Sequence, residues 1–522
     1  MQQPNKNRTK NYLILANFLL VFFLIILNNT NFFPLQAGDF IFFAVLTLAL
    51  ALYRPGWAFL FFIGTIVLEN INLAPAGMGF MLRPYQVIGA LTALAVIIRI
   101  VVRRINFSLP KLNRFDLLVG LIILFSFFSA LAAPEKTTSL KLSLVLFSFL
   151  VLYFLTKIYI QDFSDLKKII PLFLTSLFIV TLYGIWQNTQ AVKNLPAFEV
   201  MPGRPNATFS EPDWLGIFLV FSLAALNSLI IYFHKDRKKI AYLYTLLTLI
   251  IILILITVSR SAWIGTFILT IIFLLIILSK LSWNYLNWDY KNFLAQFMRI
   301  TFCFIFSLLI IHFFHLTDFK LFERAQSSGG LQKITIACDP KISGVAIDKR
   351  NSPWIIESFD ELTKFGCRHI NLEDIDAERA LGNQIEFNVY RRDPNINVRK
   401  EIYQKSWTEI KKHPVMGIGW GSIGKILGQD ERGAMLNSSN IFLEVWLGAG
   451  IVGLIAFILI WIFILINGIR HFQKDTIESR IYGIFLILGV LAILIPNFFN
   501  AGILLGFLWV FWGLSQINKE NN

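Results

Sequence analysis

Met201-Pro-Gly-Arg-Pro-Asn-Ala-Thr-Phe-Ser-Glu-Pro-Asp-Trp-Leu-Gly216 interrupts an otherwise very apolar chain. Its three prolines and two glycines forbid a continuous helix, so it is irregular backbone wedged between two hydrophobic runs. It carries Arg204, Glu211 and Asp213 at the expected edge of a bilayer. Charges there need a partner or a ligand, which makes the cluster a candidate functional site; the plainer alternative is a turn that holds charges.

Working outward, the flanking composition sets the class. Of 522 residues, 56% are hydrophobic, 15% are charged and 51 are phenylalanine. Soluble domains carry about a quarter charged residues, so these values predict an integral membrane protein. The first apolar run, Tyr12 to Leu27, lacks a small-residue cleavage site and reads as a first span, not a signal peptide. The formal net charge of +15 suggests nucleic acid only until its placement is considered. Nearly all of the excess falls in short loops between spans, where it sets topology, so no nucleic-acid partner is expected.

The fold class expected is an all-α polytopic membrane protein of about 12–14 transmembrane helices. Apolar runs begin near Tyr12, Ala37, Gly56, Pro84, Asp116, Thr138, Lys168, Pro212, Ile240, Ser261, Ala295, Ser438, Ile481 and Phe498. Alternate loops are basic, among them Lys6/Arg8/Lys10, Arg103/Arg104/Lys111/Arg114, Lys235/Arg237/Lys238/Lys239 and Arg470/Lys474/Arg480. The positive-inside rule makes these loops and both termini cytoplasmic, with one phase from end to end. A helical bundle over 1–315 and 438–522 should then flank a long extracytoplasmic loop, 316–437.

That loop carries nearly balanced charge and reads as a small α/β domain. Strands are expected around Lys333–Ala337 and Gly344–Ile347, a helix near Ile355–Phe365, and a strand from Arg368. Arg399–Lys412 has Ile402, Tyr403, Trp407 and Ile410 spaced for a helix on the membrane surface. Cys338 and Cys367 form either a disulfide or two free thiols; Cys303 lies within a span and reads as packing.

Three arginines oppose the orientation bias on the outer side: Arg83, Arg204 and Arg260. A guanidinium offers parallel donors and keeps its charge, which suits it to the phosphates of a lipid pyrophosphate. Snorkelling to headgroups explains any one of them, but explains three in broken turns poorly. Glu211 and Asp213 could deprotonate a hydroxyl, hold a divalent cation, or simply pair with Arg204. His413 precedes Pro414 and the glycine-rich turn Gly417-Ile-Gly-Trp-Gly421, whose backbone donors suit a phosphate cradle or a plain turn. Glu373-Asp374-Ile375-Asp376 reads as solvated surface, and Glu444, one turn into a span, should face protein or water.

At these residues the chain resembles the O-antigen ligase and polymerase family, membrane glycosyltransferases of the C-type class. Arg204-Pro-Asn is similar to the family's Arg–Gly–Phe–Pro-Asn turn, and Ser259-Arg260-Ser-Ala-Trp263 to its Ser-Arg segment. His413-Pro-Val-Met-Gly-Ile-Gly419 resembles its His-Pro-Leu-Leu-Gly-Val-Gly segment, and Asn440-Ile-Phe-Leu-Glu444 the opening of the span after the large loop. Their order around a large outer loop is the specific feature. The resemblance implies transfer of a glycan from an undecaprenyl-pyrophosphate carrier to a glycan, lipid or protein acceptor at the outer face of the bacterial cytoplasmic membrane. It implies arginines on the pyrophosphate, a histidine activating the acceptor, and no metal or other cofactor. Arg204 and Arg260 match the first role, with Arg83 as a third candidate.

The chain departs from the family at one point: ligases carry His-Asn where it reads Ser439-Asn440. Serine is no base near neutral pH. Glu211 or Asp213 then supplies the base, or His413 swings in, or the arginines work alone, as in a polymerase-like relative; the carboxylates beside Arg204 are favoured. A lipid-linked glycan flippase and a non-catalytic envelope-assembly protein are the rival functions. Flippases spread charge through a central cavity, often in repeated halves, whereas here charge gathers at one face and no repeat is visible.

Overall fold

The computed structural model describes residues 6–30, 32–75, 80–104, 109–193, 195–201, 203–279, 288–317, 331–339, 354–356, 360–370, 375–392, 394–429 and 435–517. The chain is mostly helical. The first helices are α1 (Lys6–Asn29), α2 (Ala37–Tyr53), α3 (Pro55–Thr65), α4 (Pro84–Val101), α5 (Arg114–Ala132) and α6 (Lys136–Tyr159). Then come α7 (Phe163–Val192), α8 (Pro212–Tyr232), α9 (Arg237–Ile256), α10 (Arg260–Ser279) and α11 (Tyr290–Phe313). Among the described residues, eleven helices are long and apolar enough to cross a membrane. The protein is thus a multi-pass membrane protein. All the expected apolar runs are helical; α2, α3 and the last of them are the short ones.

The contacts divide the chain into two compact units, 1–318 with 406–522, and 319–405. In the second, β1 (Leu331–Cys338), β2 (Trp354–Ile356), β3 (Cys367–Ile370) and β4 (Gln384–Arg392) form one sheet in the order β2-β4-β1-β3. Only β2 and β4 run parallel. Two short helices, α12 (Asp360–Thr363) and α13 (Ile375–Ala380), accompany them. Ile334, Ile336, Ile356, Leu362 and Val389 build its core, and Cys338 and Cys367, opposed across β1 and β3, form a disulfide. The strand at Lys333–Ala337 and the one from Arg368 are present. The helix expected at Ile355–Phe365 is instead strand β2 followed by α12, because Trp354–Ile356 pairs with β4, a strand the sequence reading did not anticipate. The expected strand at Gly344–Ile347 lies outside the described residues, as do Glu373 and Asp374.

Helix α14 (Pro394–Lys412) begins earlier than expected, with Ile402 and Ile410 buried and Trp407 exposed. After α15 (Trp420–Leu427) come α16 (Ile441–Phe472), α17 (Ile477–Asn497) and α18 (Gly506–Leu514). Buried aromatic rings join them to the first half of the chain: Tyr85, Phe149 and Trp509 stack in sequence.

Helix α16 is broken at Gly450, whose φ of 67° is left-handed and favours glycine. A Cβ there would lie 1.9 Å from the Val415 carbonyl oxygen. At the break, the Leu447 carbonyl accepts from the N–H groups of Ile418 (2.7 Å) and Gly419 (3.2 Å), and Trp446 Nε1 donates to the Pro414 carbonyl (2.9 Å). The segment after His413 is thereby held against α16.

Candidate functional site

The proline-broken turn before α8 is fixed from several sides. Arg204 N–H donates to the Met201 carbonyl (3.1 Å), and Asn206 Nδ2 donates to the Phe209 carbonyl. Ala207 N–H reaches Gln187 Oε1 (2.7 Å), while Thr208 Oγ1 donates to the Val67 carbonyl (2.6 Å). Irregular backbone buried in a membrane protein must satisfy its polar groups internally, and these bonds do so.

From this platform Arg204 reaches the corner between α9 and α10. Its Nε donates to the Thr257 carbonyl (2.9 Å), its Nη2 stands 3.4 Å from Asp213 Oδ1, and its Nη1 meets Met201 Sδ at 3.4 Å. The corner is tight because Val258 adopts a φ of 54°, which turns the chain directly into α10. Arg260 is the first residue of α10 and half-buried. The structure therefore brings Arg204 onto the corner that carries Arg260, though 56 residues of sequence separate them (260 − 204).

Asp213, in the first turn of α8, links the two elements. Ser259 Oγ donates to its Oδ1 (2.5 Å), and Ser259 Oγ lies 3.2 Å from Ser261 Oγ. Close approach of α8 and α10 requires Gly216, where a Cβ would stand 2.8 Å from Ala262 Cβ and 3.3 Å from Ser259 Oγ. Glu211 is the N-cap residue of α8, half-buried, and makes no side-chain cap bond.

Two further polar residues extend the cluster to the C-terminal helices. Asn500 Nδ2 donates to Ser261 Oγ (3.0 Å). Asn440 caps α16 through its Oδ1 and donates its Nδ2 to the Phe498 carbonyl (3.2 Å). The turn before it holds Ser439 at a φ of 50°, with Ser439 N–H on Asn437 Oδ1 and Ser438 N–H on Glu444 Oε2 (2.8 Å). Ser259, Ser261 and Asn440 entered the sequence reading only as members of family-like segments, with no role of their own, and Asn500 was not singled out. The available signal was polarity inside apolar runs, at Pro496-Asn-Phe-Phe-Asn500 for instance.

The other candidates are placed differently. Arg83 is buried, with Nε on the Glu69 carbonyl and on Glu69 Oε2, both at 2.9 Å. Glu69 also accepts from Tyr85 Oη and Gly506 N–H, both at 2.8 Å. Arg83 is thus engaged within the protein, behind the turn: Glu69 N–H donates to the Thr208 carbonyl (3.0 Å). His413 is exposed at the end of α14. The glycine turn after it spends its N–H groups internally, on His413 O, Leu447 O and Ser139 Oγ, which makes it a structural turn and not a phosphate cradle. Glu199, in the loop before Arg204, has one oxygen on Gly203 N–H (2.8 Å) and the other buried with no hydrogen-bond partner among the described residues. Burial pushes its carboxyl up to about 7, against the Gly203 N–H, which lowers it.

Residues 243–458 match the family model described as O-Antigen ligase. Over this stretch the chain is similar to the O-antigen ligase family. The matched stretch spans the Arg260 corner, the glycine turn and Glu444, while the Arg204 turn precedes it. No curated protein and no solved structure matches the chain.

Proposed function

We propose that this O-antigen ligase-like protein transfers or polymerises a glycan from an undecaprenyl-pyrophosphate carrier, with the Arg204–Arg260 cluster on the extracytoplasmic side of the cytoplasmic membrane. The observation that carries this reading is the arrival of Arg204 at the Thr257–Ser261 corner, from which α10 starts with Arg260.

The diphosphate leaves with growing negative charge as the anomeric carbon–oxygen bond breaks. Cations fixed in a site screened from water stabilise that charge without reorganising at the moment of reaction. Asp213 and Ser259 hold Arg204 in place before the donor arrives. The thioether of Met201 is a weak acceptor on Nη1, so a phosphate oxygen replaces that contact at little cost. The basic loops at the other ends of the spans support a cytoplasmic side for both termini.

Purified protein reconstituted with carrier-linked glycan and an acceptor should release undecaprenyl pyrophosphate. Arg204→Ala and Arg260→Ala should each lower the rate about 10²–10³-fold, the usual effect of removing one charge-stabilising donor. Transport of the lipid-linked glycan across vesicles, with no release, would favour a flippase instead.

A further inference from the structure

The transfer just described needs a proton acceptor, since the acceptor hydroxyl loses its proton as its oxygen bonds to the anomeric carbon. Resting on that reading, we propose that Glu444 takes this proton, in the place of the imidazole that Ser439 lacks. The new bond joins the acceptor oxygen to the anomeric carbon. The bond to the diphosphate breaks, its electron pair leaves with the pyrophosphate, and the proton passes to the Glu444 carboxylate and then to water.

Three observations carry the assignment. The first is availability. Glu444 is half-buried in the first turn of α16, and no cation among the described residues pairs with it. The other carboxylates in reach of comparison are engaged: Asp213 with Arg204 and Ser259, Glu69 with Arg83, and Glu135 with Lys425 at 2.7 Å. A carboxylate already bonded to a cation or a hydroxyl has fewer free lone pairs to offer a reacting hydroxyl.

The second is placement. From the Asn440 cap, polar contacts run to the Phe498 carbonyl; two residues on, Asn500 continues them to Ser261, Ser259, Asp213 and Arg204. The Glu444 turn and the arginine cluster therefore belong to one polar surface at one end of the helices. The third is rigidity. Ser438 N–H binds Glu444 Oε2, Ser438 Oγ binds the Asn440 carbonyl (2.8 Å), and Ser439 is kept at a positive φ. Strain of that kind persists only where the surroundings over-determine it, and it fixes the carboxylate in position.

A purely structural Glu444 would only receive the Ser438 N–H. Glu444→Gln separates the two roles, because the amide oxygen still accepts that N–H but the side chain takes up no proton. In the reconstituted assay, E444Q should retain the carrier-linked donor as wild type does and transfer it at least about 10²-fold more slowly. Wild-type transfer should rise with pH on the acid side, E444Q should lose that rise, and Glu444→Asp should restore part of the rate. E444Q transferring within a few-fold of wild type, or keeping that acid-side rise, overturns the proposal. If the rise disappears in Glu211→Gln instead, the base is Glu211. Wild type that neither retains nor transfers the donor overturns the transferase reading itself, whereas donor retention lost in Arg204→Ala and kept in E444Q supports both.

Discussion

Arg83–Glu69 and Arg204–Asp213 are the same chemical pair in two environments. The first is closed at 2.9 Å, with side chains 11% and 0% exposed, and Tyr85 and Gly506 occupy the remaining carboxylate positions. The second is open at 3.4 Å, with side chains 15% and 29% exposed, and its guanidinium rests partly on a thioether. Sequence position alone made both arginines candidates for phosphate. The difference teaches that a cation in such a protein becomes a ligand site only where its partners leave it something to give.

The largest effect expected follows from opening the closed pair. Glu69→Ala leaves Arg83 buried without its partner and should cost about 3–5 kcal/mol of stability, seen as lost folded protein or a lowered thermal midpoint. Joining Glu69→Gln to Arg83→Met should recover much of that loss. An undiminished midpoint in Glu69→Ala would mean the two pairs do not differ as described. Arg204→Ala should behave in the opposite way, with transfer reduced by about 3–4 kcal/mol of barrier and stability changed by less than about 1 kcal/mol. A collapse in stability instead would make the open pair structural too.

Smaller effects sharpen the contrast. Ser259→Ala removes the hydroxyl that steadies Asp213, which should slow transfer by about five- to tenfold with the fold intact, about the worth of one such hydrogen bond. Glu199 supplies the smallest. Its folded carboxyl is raised to about 7, so ionising it opposes the fold. That penalty is absent below the ordinary carboxylate range, grows as pH rises, and is complete above about 7. Glu199→Gln should accordingly match wild type near pH 4 and be slightly more stable at pH 8, by less than about 1 kcal/mol. A thermal midpoint measured at both values checks the sign.

The bundle was legible because its signal is local. Apolar runs set the helices, and Asn113, Asp162, Asp236 and Asp289 cap their starts through backbone N–H groups. The sheet was only half legible. Trp354-Ile-Ile is a strand because of β4, whose first residue lies 30 positions away (384 − 354), and no periodicity in three residues announces that. The site followed the same division. Arg204 and Arg260 stood out as charges against the orientation bias, but the partner of Arg83 is Glu69, 14 residues earlier, and only folding reveals it. Glu444 was visible as a charge one turn into a span, but its Ser438 partner was not, and Asn500 was hidden by the apolar run that contains it. A polar side chain in a span announces that it needs company, not whose.

The Gly450 break has a last consequence. The strap from Pro414 to Gly419 is secured to α16 chiefly by peptide groups, the Leu447 carbonyl taking two amides at once. Such a clasp is indifferent to what Val415 or Met416 carry outward, so those positions are free to vary in shape and polarity. Gly450 has no such freedom: any side chain there drives against the backbone of Val415, and the strap comes loose as a whole.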